Sequence, residues 1–390
     1  WRRKMKILKL IFKNAMRHKL RTSLTVIGIM IAVIAFGVLR TVVTVWDSSV
    51  DAASANRLIT RQAVSFIFPL PYAYKEKIKN VEGVKNVSFA NWFGGIYKDK
   101  SNFFARLSVD AETIFDVMQE FLITDEELAN FKKERNSCVI GADIAKQYNI
   151  KIGDQMVLDG DIFPGRWEFV VRGIYRPKNK NTDDTQMLFH WSYVDERMKV
   201  ESPVRAGNVG WYIVLIDDAN KAAEISDQID VLFKNSSAET KTETEKAFTQ
   251  GFVSASGAII SAMNFMSFVI IGIIMLVLAN TMIMAARERT REYAVLKTLG
   301  FSAYHLVGLI LGESMVIAII GGGIGVALTY PIVAGFEQAI PKGFFPFFFI
   351  EPITTILAMS AAILIGIIAS IFPIQRALKT KIVEGFRFVG

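Results

Sequence analysis

Four long apolar stretches, Thr22–Val45, Ser256–Ala286, Tyr304–Gly335 and Ile353–Phe372, leave this chain few ways to fold. Each is long enough to cross a hydrocarbon core of ~30 Å, which takes about 20 residues of helix. No water inside a bilayer satisfies backbone N–H and C=O groups, so all four stretches are expected to be helices. Between the first and second lies an insert, Asp47–Ala255, too polar to sit in lipid and long enough to own a core. The expected fold class is an α-helical membrane protein with four transmembrane helices and an α+β domain on one side.

The formal charge of +8 raises nucleic acid as one partner for a basic chain, but its distribution argues against that. Residues 1–21 carry nine Lys or Arg and no acid. Arg287, Arg289, Arg291 and Lys297 follow the second stretch, and Arg376, Lys379, Lys381 and Arg387 follow the fourth. All flank spans, as the positive-inside rule expects of cytoplasmic segments. Both termini and the 287–303 loop are therefore expected inside, the insert outside, and no nucleic-acid partner is expected. The single Cys138 excludes an intrachain disulfide and reads as a small buried apolar residue. The first stretch is too long for a signal-peptide core and lacks a small-x-small cleavage pattern. Trp1 in place of Met implies numbering that begins inside a longer reading frame.

The expected organisation is a cytoplasmic amphipathic helix (1–21), first span (22–46), outer domain (47–255), second span (256–286), cytoplasmic segment (287–303), third span (304–335), outer loop (336–352), fourth span (353–373) and cytoplasmic tail (374–390). In 1–21, Lys9, Lys13, Arg17 and Arg21 recur every four residues, beside Leu8, Phe12, Met16 and Leu20. That pattern suits a helix lying on the leaflet; a basic tail without fixed structure is the other reading. Arg40 lies near the outer end of the first span, where snorkelling accounts for it. The second stretch has 31 residues, about 46 Å of helix, so it projects, tilts, or runs as one rigid helix from the outer domain to the cytoplasmic loop. Within the insert, Val84–Phe89, Phe103–Val109, Gln155–Leu158, Trp167–Ile174 and Trp211–Ile216 read as strands. Pro71–Lys79, Ala111–Gln119, Ala142–Tyr148 and Ala219–Phe233 read as helices, with Ala222, Ile225, Ile229 and Phe233 on one face. Asn235–Lys246 reads as a polar linker or helical lead-in. A βα order near both ends around a β-rich middle suggests a split ferredoxin-like unit interrupted by a smaller, β-rich inserted subdomain.

Catalytic signatures are missing from these 390 residues. There is no G-x-x-x-x-G-K-[ST] phosphate loop, no H-E-x-x-H, and His18, His190 and His305 are scattered. Gly312-Glu313-Ser314-Met315-Val316 lacks the closing glycine of a nucleophile elbow. No enzymatic activity, cofactor or metal is expected of this chain.

The strongest local signal is Ala285–Ser302. Arg287, Arg291, Glu288 and Glu292 share neighbouring helical rows, Tyr293, Leu296 and Leu299 form an apolar stripe, and Gly300 is a natural C-terminal cap. Such a helix suits docking in another protein's groove; an ordinary basic anchor is the bland alternative. The segment resembles the cytoplasmic coupling motif of the MacB/FtsX superfamily of ABC-transporter permeases, Arg-x-x-Glu-hydrophobic-x-x-Leu-(Lys/Arg)-x-Leu-Gly. Arg289, Glu292, Leu296, Lys297, Leu299 and Gly300 stand at the matching positions. Ile11–Val33, Gly312–Gly325 and Arg376–Arg387 resemble the family's first span, third span and C-terminal signature in order. Leu70–Phe89 and Val139–Ile174 resemble its MacB-type periplasmic domain.

The resemblance implies a permease subunit in a bacterial inner membrane, paired with a second permease chain, identical or related. ATP would be bound by a partner nucleotide-binding subunit, in two copies; MacB fuses that ATPase upstream, whereas this sequence begins almost at the membrane helix, so a separate chain is expected to carry it. Arg287, Glu288, Arg291, Glu292, Leu296, Lys297, Leu299 and Gly300 would contact the ATPase, and the second span would carry its motion outward by mechanotransmission, for efflux or extraction of a lipophilic or peptide cargo. A periplasmic adaptor or outer-membrane channel is a further partner the family offers. FtsX-like signalling without transport, and LolC/LolE-like lipoprotein release, share the architecture. Gly321 and Gly325 form a small-xxx-small pair suited to helix packing within the chain or across a dimer, or a glycine-rich stretch merely tolerated in a bundle. The aromatic run Gly343–Phe349 reads as an anchor among membrane lipids, or as a surface for lipidic cargo or the second permease.

Overall fold

The computed structural model describes residues 11–339 and 348–379. Expectations for Leu8 and Lys9, for the 343–347 part of the aromatic run, and for Lys381 and Arg387 lie outside the described residues. In chain order the elements are α1 (Lys19–Ala52), β1 (Arg57–Gln62), β2 (Leu70–Pro71), α2 (Tyr74–Lys79), β3 (Val84–Trp92), β4 (Ala105–Val109), α3 (Ile114–Val117), β5 (Phe121–Leu122), α4 (Asp125–Lys133), β6 (Ser137–Gly141) and α5 (Ala142–Tyr148). Next come β7 (Gln155–Gly160), β8 (Gly165–Pro177), β9 (Gln186–His190), α6 (Trp191–Glu201), β10 (Asn208–Val209), β11 (Trp211–Ile216), α7 (Ala222–Leu232), β12 (Thr240–Thr244) and α8 (Glu245–Ala255). The remaining helices are α9 (Gly257–Glu288), α10 (Thr290–Thr298), α11 (Ala303–Ala339) and α12 (Pro352–Lys379). They fall into two compact units, one spanning Val45–Ser256, the other built from the described residues up to Thr44, Gly257–Phe336 and those from Phe348 on.

In the Val45–Ser256 unit, β1–α2–β3 and β11–α7–β12 are two strand–helix–strand halves. Their strands lie in the order β12-β1-β11-β3, each antiparallel to its neighbour. Residues 93–210 are inserted between the halves and continue the same sheet. β4 pairs with β3 through Ala90↔Val109, then β9, β6 and β8 follow, with β4·β9 and β6·β8 parallel. β5 and β7 flank β8. The insert's strands thus do not build a separate β-rich layer, because β3 offers one edge to β11 and the other to β4. The result is an α/β domain with a mixed sheet.

Side-chain alternation sorts the core. Ile59, Ala90, Val109, Val139, Leu188 and Ile213 pack with α3 and α4 on one face. Leu58, Phe89, Tyr212 and Val214 pack with α2 and α7 on the other. Further along, Cys138, Trp167, Phe169 and Phe189 pack with α5 and α6. Several local expectations change. Pro71–Lys79 begins as strand and becomes helix only at Tyr74; Ala111–Gln119 is helical only over Ile114–Val117. Within Asn235–Lys246, Thr240–Thr244 is strand rather than linker or helix, because it finds the open edge of β1.

Arg57, at the start of β1, has all five guanidinium N–H groups engaged. Nε and Nη2 donate to Glu245 (2.8 and 2.9 Å), Nη1 and Nη2 to Glu120 (2.9 and 2.6 Å), and Nη1 to the Val117 carbonyl (3.1 Å). Glu245 also accepts from the Ser54 amide at 2.8 Å. One buried cation therefore joins the segment leading into β1, the segment leading out of β12, and the loop after α3. A polar cleft of about 730 Å³ opens beside it, lined in part by Asp51, Lys178 and Asp183.

In the other unit α1, α9, α11 and α12 supply four helices long and apolar enough to cross a membrane. Ile29, Val33, Leu278, Met282, Ile310, Ile317, Ala358, Ala362 and Ile365 form their shared core. Small residues bring α11 against α1. A Cβ added at Gly321 would lie 2.9 Å from Ile29 Cβ, one at Gly325 2.8 Å from Val33 Cβ, and one at Gly37 2.7 Å from Thr329 Cγ2. Such approach is what glycine permits between membrane helices, where packing drives association. Through the second apolar stretch α9 runs unbroken from Gly257 to Glu288, and one non-helical residue at each end, Ser256 and Arg289, separates it from α8 and α10.

Candidate coupling site

The 287–303 segment starts at a break. Arg289 leaves helical geometry (φ −98°, ψ 9°) between α9 and α10, with neither Gly nor Pro to cause it. Its side chain turns inward and is buried. Nη1 donates to Glu313 Oε2 on α11 at 2.6 Å, and Nη2 to the Asn14 carbonyl at 2.8 Å. Tyr293, one turn on, is buried beside this pair, and burial pushes its hydroxyl pKa up to about 12.

The N-terminal segment closes over the same place. Residues 11–15 are helical, residues 16–18 turn, and α1 begins at Lys19. The Thr22 hydroxyl donates to the Ala15 carbonyl at 2.6 Å, holding that turn. The expected basic ridge through residue 21 is therefore broken. Arg17 pairs with Glu292, Arg21 Nη1 reaches Glu288 Oε2 at 2.9 Å, and His18 Nε2 lies 3.5 Å from the same carboxylate. Ile11 and Ala15 face the core, while Phe12 and Leu20 of the expected apolar ridge are exposed. The exposed pairs are screened by water and contribute little, whereas leaving one member of a buried pair alone costs about 3–5 kcal/mol.

The far end is equally defined. Gly300 has φ +82°, its N–H donates to the Lys297 carbonyl at 3.1 Å, and the Phe301 N–H donates to the Leu296 carbonyl at 3.0 Å. This is a Schellman motif, with glycine at its left-handed position. Lys297 Nζ donates to the Ala377 and Leu378 carbonyls, both at 3.0 Å, near the end of α12. A lysine is well matched to carbonyls that a helix end leaves unpaired.

The motif's residues thus divide. Glu288, Glu292, Lys297 and the half-buried Leu296 are engaged within the chain, and Tyr293 leaves the expected apolar stripe for the core. Arg287 and Arg291 are exposed, and among the described residues their side chains take no hydrogen-bond or ion-pair partner. Leu299 is 69% exposed, and Val295, Phe301 and Tyr304 are exposed near it in sequence. Gly321 and Gly325 lie away from this segment, against α1. Sequence reasoning missed Glu313 as a partner of Arg289. The available signal was that Glu313 is the one Asp, Glu, Lys or Arg between Ala303 and Phe336, and an isolated ionisable residue in a span marks a function. Among the described residues no group of three or more His, Cys, Asp or Glu could hold a metal ion.

Two family models match the chain. The MacB-like periplasmic core domain matches residues 22–232, more than half of it, and the FtsX-like permease C-terminal matches residues 264–382. An uncharacterized ABC transporter permease of Methanocaldococcus jannaschii is 23% identical over 406 residues, covering 96% of each chain. An uncharacterized ABC transporter permease protein of Mycobacterium tuberculosis is 23% identical over 67% of this chain, which spans only 30% of that protein. The macrolide export ATP-binding/permease protein MacB of Shewanella oneidensis is 31% identical over 126 residues, 32% of this chain and 18% of that one. With four candidate spans around a large extracytoplasmic domain, the chain belongs to the MacB/FtsX superfamily of ABC-transporter permeases, as its permease part and not its ATPase domain.

Proposed function

We propose that this chain is a permease subunit of a MacB/FtsX-type ABC transporter in a bacterial inner membrane. It couples ATP hydrolysis on partner nucleotide-binding subunits to movement of its extracytoplasmic domain, for export or extraction of a lipophilic or peptide cargo by mechanotransmission. The observation that carries this reading is the 287–303 segment. Its internal residues fasten it to three other parts of its own unit, and its exposed residues, Arg287, Arg291, Leu299 and Phe301, combine positive charge with apolar surface. A fastened segment with such an outer surface suits a partner's groove better than a lipid anchor does.

The domain boundaries at 47–255 and 287–303, a second permease chain, and the split ferredoxin-like description of β1, β3, β11 and β12 belong to the same proposal. The strand order β12-β1-β11-β3 supports the last of these. The chain's permease and MacB-like regions favour transport or lipoprotein release over signalling alone, because the domain is large enough to hold cargo-facing surfaces.

The test is affinity purification of the full chain in mild detergent, with identification of what copurifies. The expected result is a Walker-motif ATPase whose recovery falls at least tenfold when Leu299→Glu is combined with Arg291→Glu, while the chain itself stays monodisperse. Unchanged ATPase recovery in that variant, or no ATPase with the unaltered chain, removes the coupling assignment.

A further inference from the structure

Two routes by which α10 could move the rest of its unit begin at Arg289, beside those through Lys297 to α12 and through Gly300 into α11. The route along the chain, into α9, passes through the one residue there that is not helical. The route through side chains is different in kind. Arg289 joins Glu313, deep in the first third of α11, and the carbonyl of Asn14, at the end of the short helical stretch before α1. Arg289 is 4% exposed and Glu313 6%, so the link lies out of water. Around it Tyr293, Leu306 and Ile310 are buried, closing α10 against the start of α11. The pairs Arg17–Glu292 and Arg21–Glu288 fasten the same N-terminal segment from outside, but half-exposed pairs are screened and contribute little.

We infer that Arg289 and Glu313 are positioning residues for coupling. They set the angle at the break before α10 and pass its displacement directly to α11 and the N-terminal segment. Two physical points support this beyond the distances. A backbone break without Gly or Pro needs a tertiary cause, and the inward turn of Arg289 supplies one. A carboxylate in an apolar span is costly and is retained where it has a partner and a task. The guanidinium is the right cation, since its fork addresses a carboxylate and a carbonyl at once where an ammonium would act as a single point charge. The second span is then not the sole lever, because the Arg289–Glu313 pair links α10 to α11 without passing through α9.

This inference rests on the coupling reading above, and its test separates the two. The full chain is reconstituted in lipid nanodiscs with the ATPase that copurifies with it. Two quantities are read: ATPase retained on the tagged chain, and ATP turnover stimulated by the chain. Glu313→Gln should retain ATPase within twofold while stimulated turnover falls at least tenfold. A role confined to folding would lower both readouts together. If Glu313→Gln does not fold, Arg289→Lys decides, since it keeps the charge and loses the fork; retained ATPase with a tenfold loss of turnover supports the inference. Retained ATPase with unchanged turnover, in whichever variant folds, overturns it and leaves the coupling reading standing. Failure of the unaltered chain to retain any ATPase instead ends the coupling reading and this inference with it.

Discussion

Replacing Arg57 by methionine tests how much of the extracytoplasmic domain hangs on one side chain. Arg57 is buried, its five N–H groups are all engaged, and the Glu120 and Glu245 side chains keep 24% and 19% of their exposure. Removing the cation leaves two carboxylates facing each other. Stranding a buried charge costs about 3–5 kcal/mol, and residual hydration of both glutamates places this case near the low end, about 3 kcal/mol. For a domain of roughly 200 residues, each kcal/mol lowers Tm by about 2–4 °C, so Arg57→Met should lower it by about 6–12 °C. Four of the six tryptophans, Trp92, Trp167, Trp191 and Trp211, lie in this domain, so intrinsic fluorescence during heating of the full chain in detergent follows it. Adding Glu120→Gln and Glu245→Gln removes the stranded charges and should recover at least half of the loss. A single variant melting within about 2 °C of the unaltered chain would refute the reasoning. So would a triple variant no more stable than the single.

Gly325→Ala places a Cβ 2.8 Å from Val33 Cβ and 3.0 Å from the Met30 carbonyl, so it should destabilise the membrane unit by about 1–3 kcal/mol in detergent unfolding. Gly335→Ala, which meets nothing within 4 Å, should not, and equal effects would discount the close approach. The Cys138 thiol is fully buried and burial pushes its pKa up, so maleimide should label it only after denaturation; native labelling would contradict the packing of β6. His190 is held below its ordinary value of about 6.5 by burial, partly opposed by the Phe131 carbonyl 2.7 Å from Nε2. The unfolded chain therefore takes up the proton first, and the stability is present above the unfolded pKa and lost as pH falls from there towards the folded one. His190→Gln should flatten the dependence of the domain's Tm on pH in that window, and an unchanged slope would assign it elsewhere.

What could be read in advance followed burial. The four spans and strands such as Trp211–Ile216 announce themselves because both faces are apolar. β1 and β12 do not: RLITRQ carries two arginines and TKTET has no large apolar residue, so their place shows only in the sheet, where Thr60 meets Thr242, Arg57 meets Glu245, and Leu58 and Ile59 enter the core. α4 was legible and missed, since Thr124 and Glu127 form a capping box three residues apart. In the candidate site, Gly300 was readable from a local rule. The i, i+4 spacing of Arg17 and Arg21 misled because their partners are Glu292 and Glu288, more than 260 residues away, and nothing local signals such pairs. The break at Arg289 has no signal in its own neighbourhood; the isolated Glu313, its partner on α11, was the one clue.

The position of β1 in the sheet sets a timetable for synthesis. Its two neighbours are β11 and β12, so a strand made at residue 57 has no partner until residues 211–216 and 240–244 emerge. At about 5–20 residues per second the wait is roughly 8–40 s. Through that interval β1 is a bare strand with both edges open, the condition in which chains pair wrongly. Arg57 and Arg61 act as gatekeepers along it until Glu245 and Glu243 arrive to neutralise them. Nascent chains arrested before residue 211 should therefore be cut by trypsin at Arg61, and chains released after residue 255 should resist. The residues inserted between β3 and β11 gain a head start, and the oldest strand of the domain is among the last to find its place.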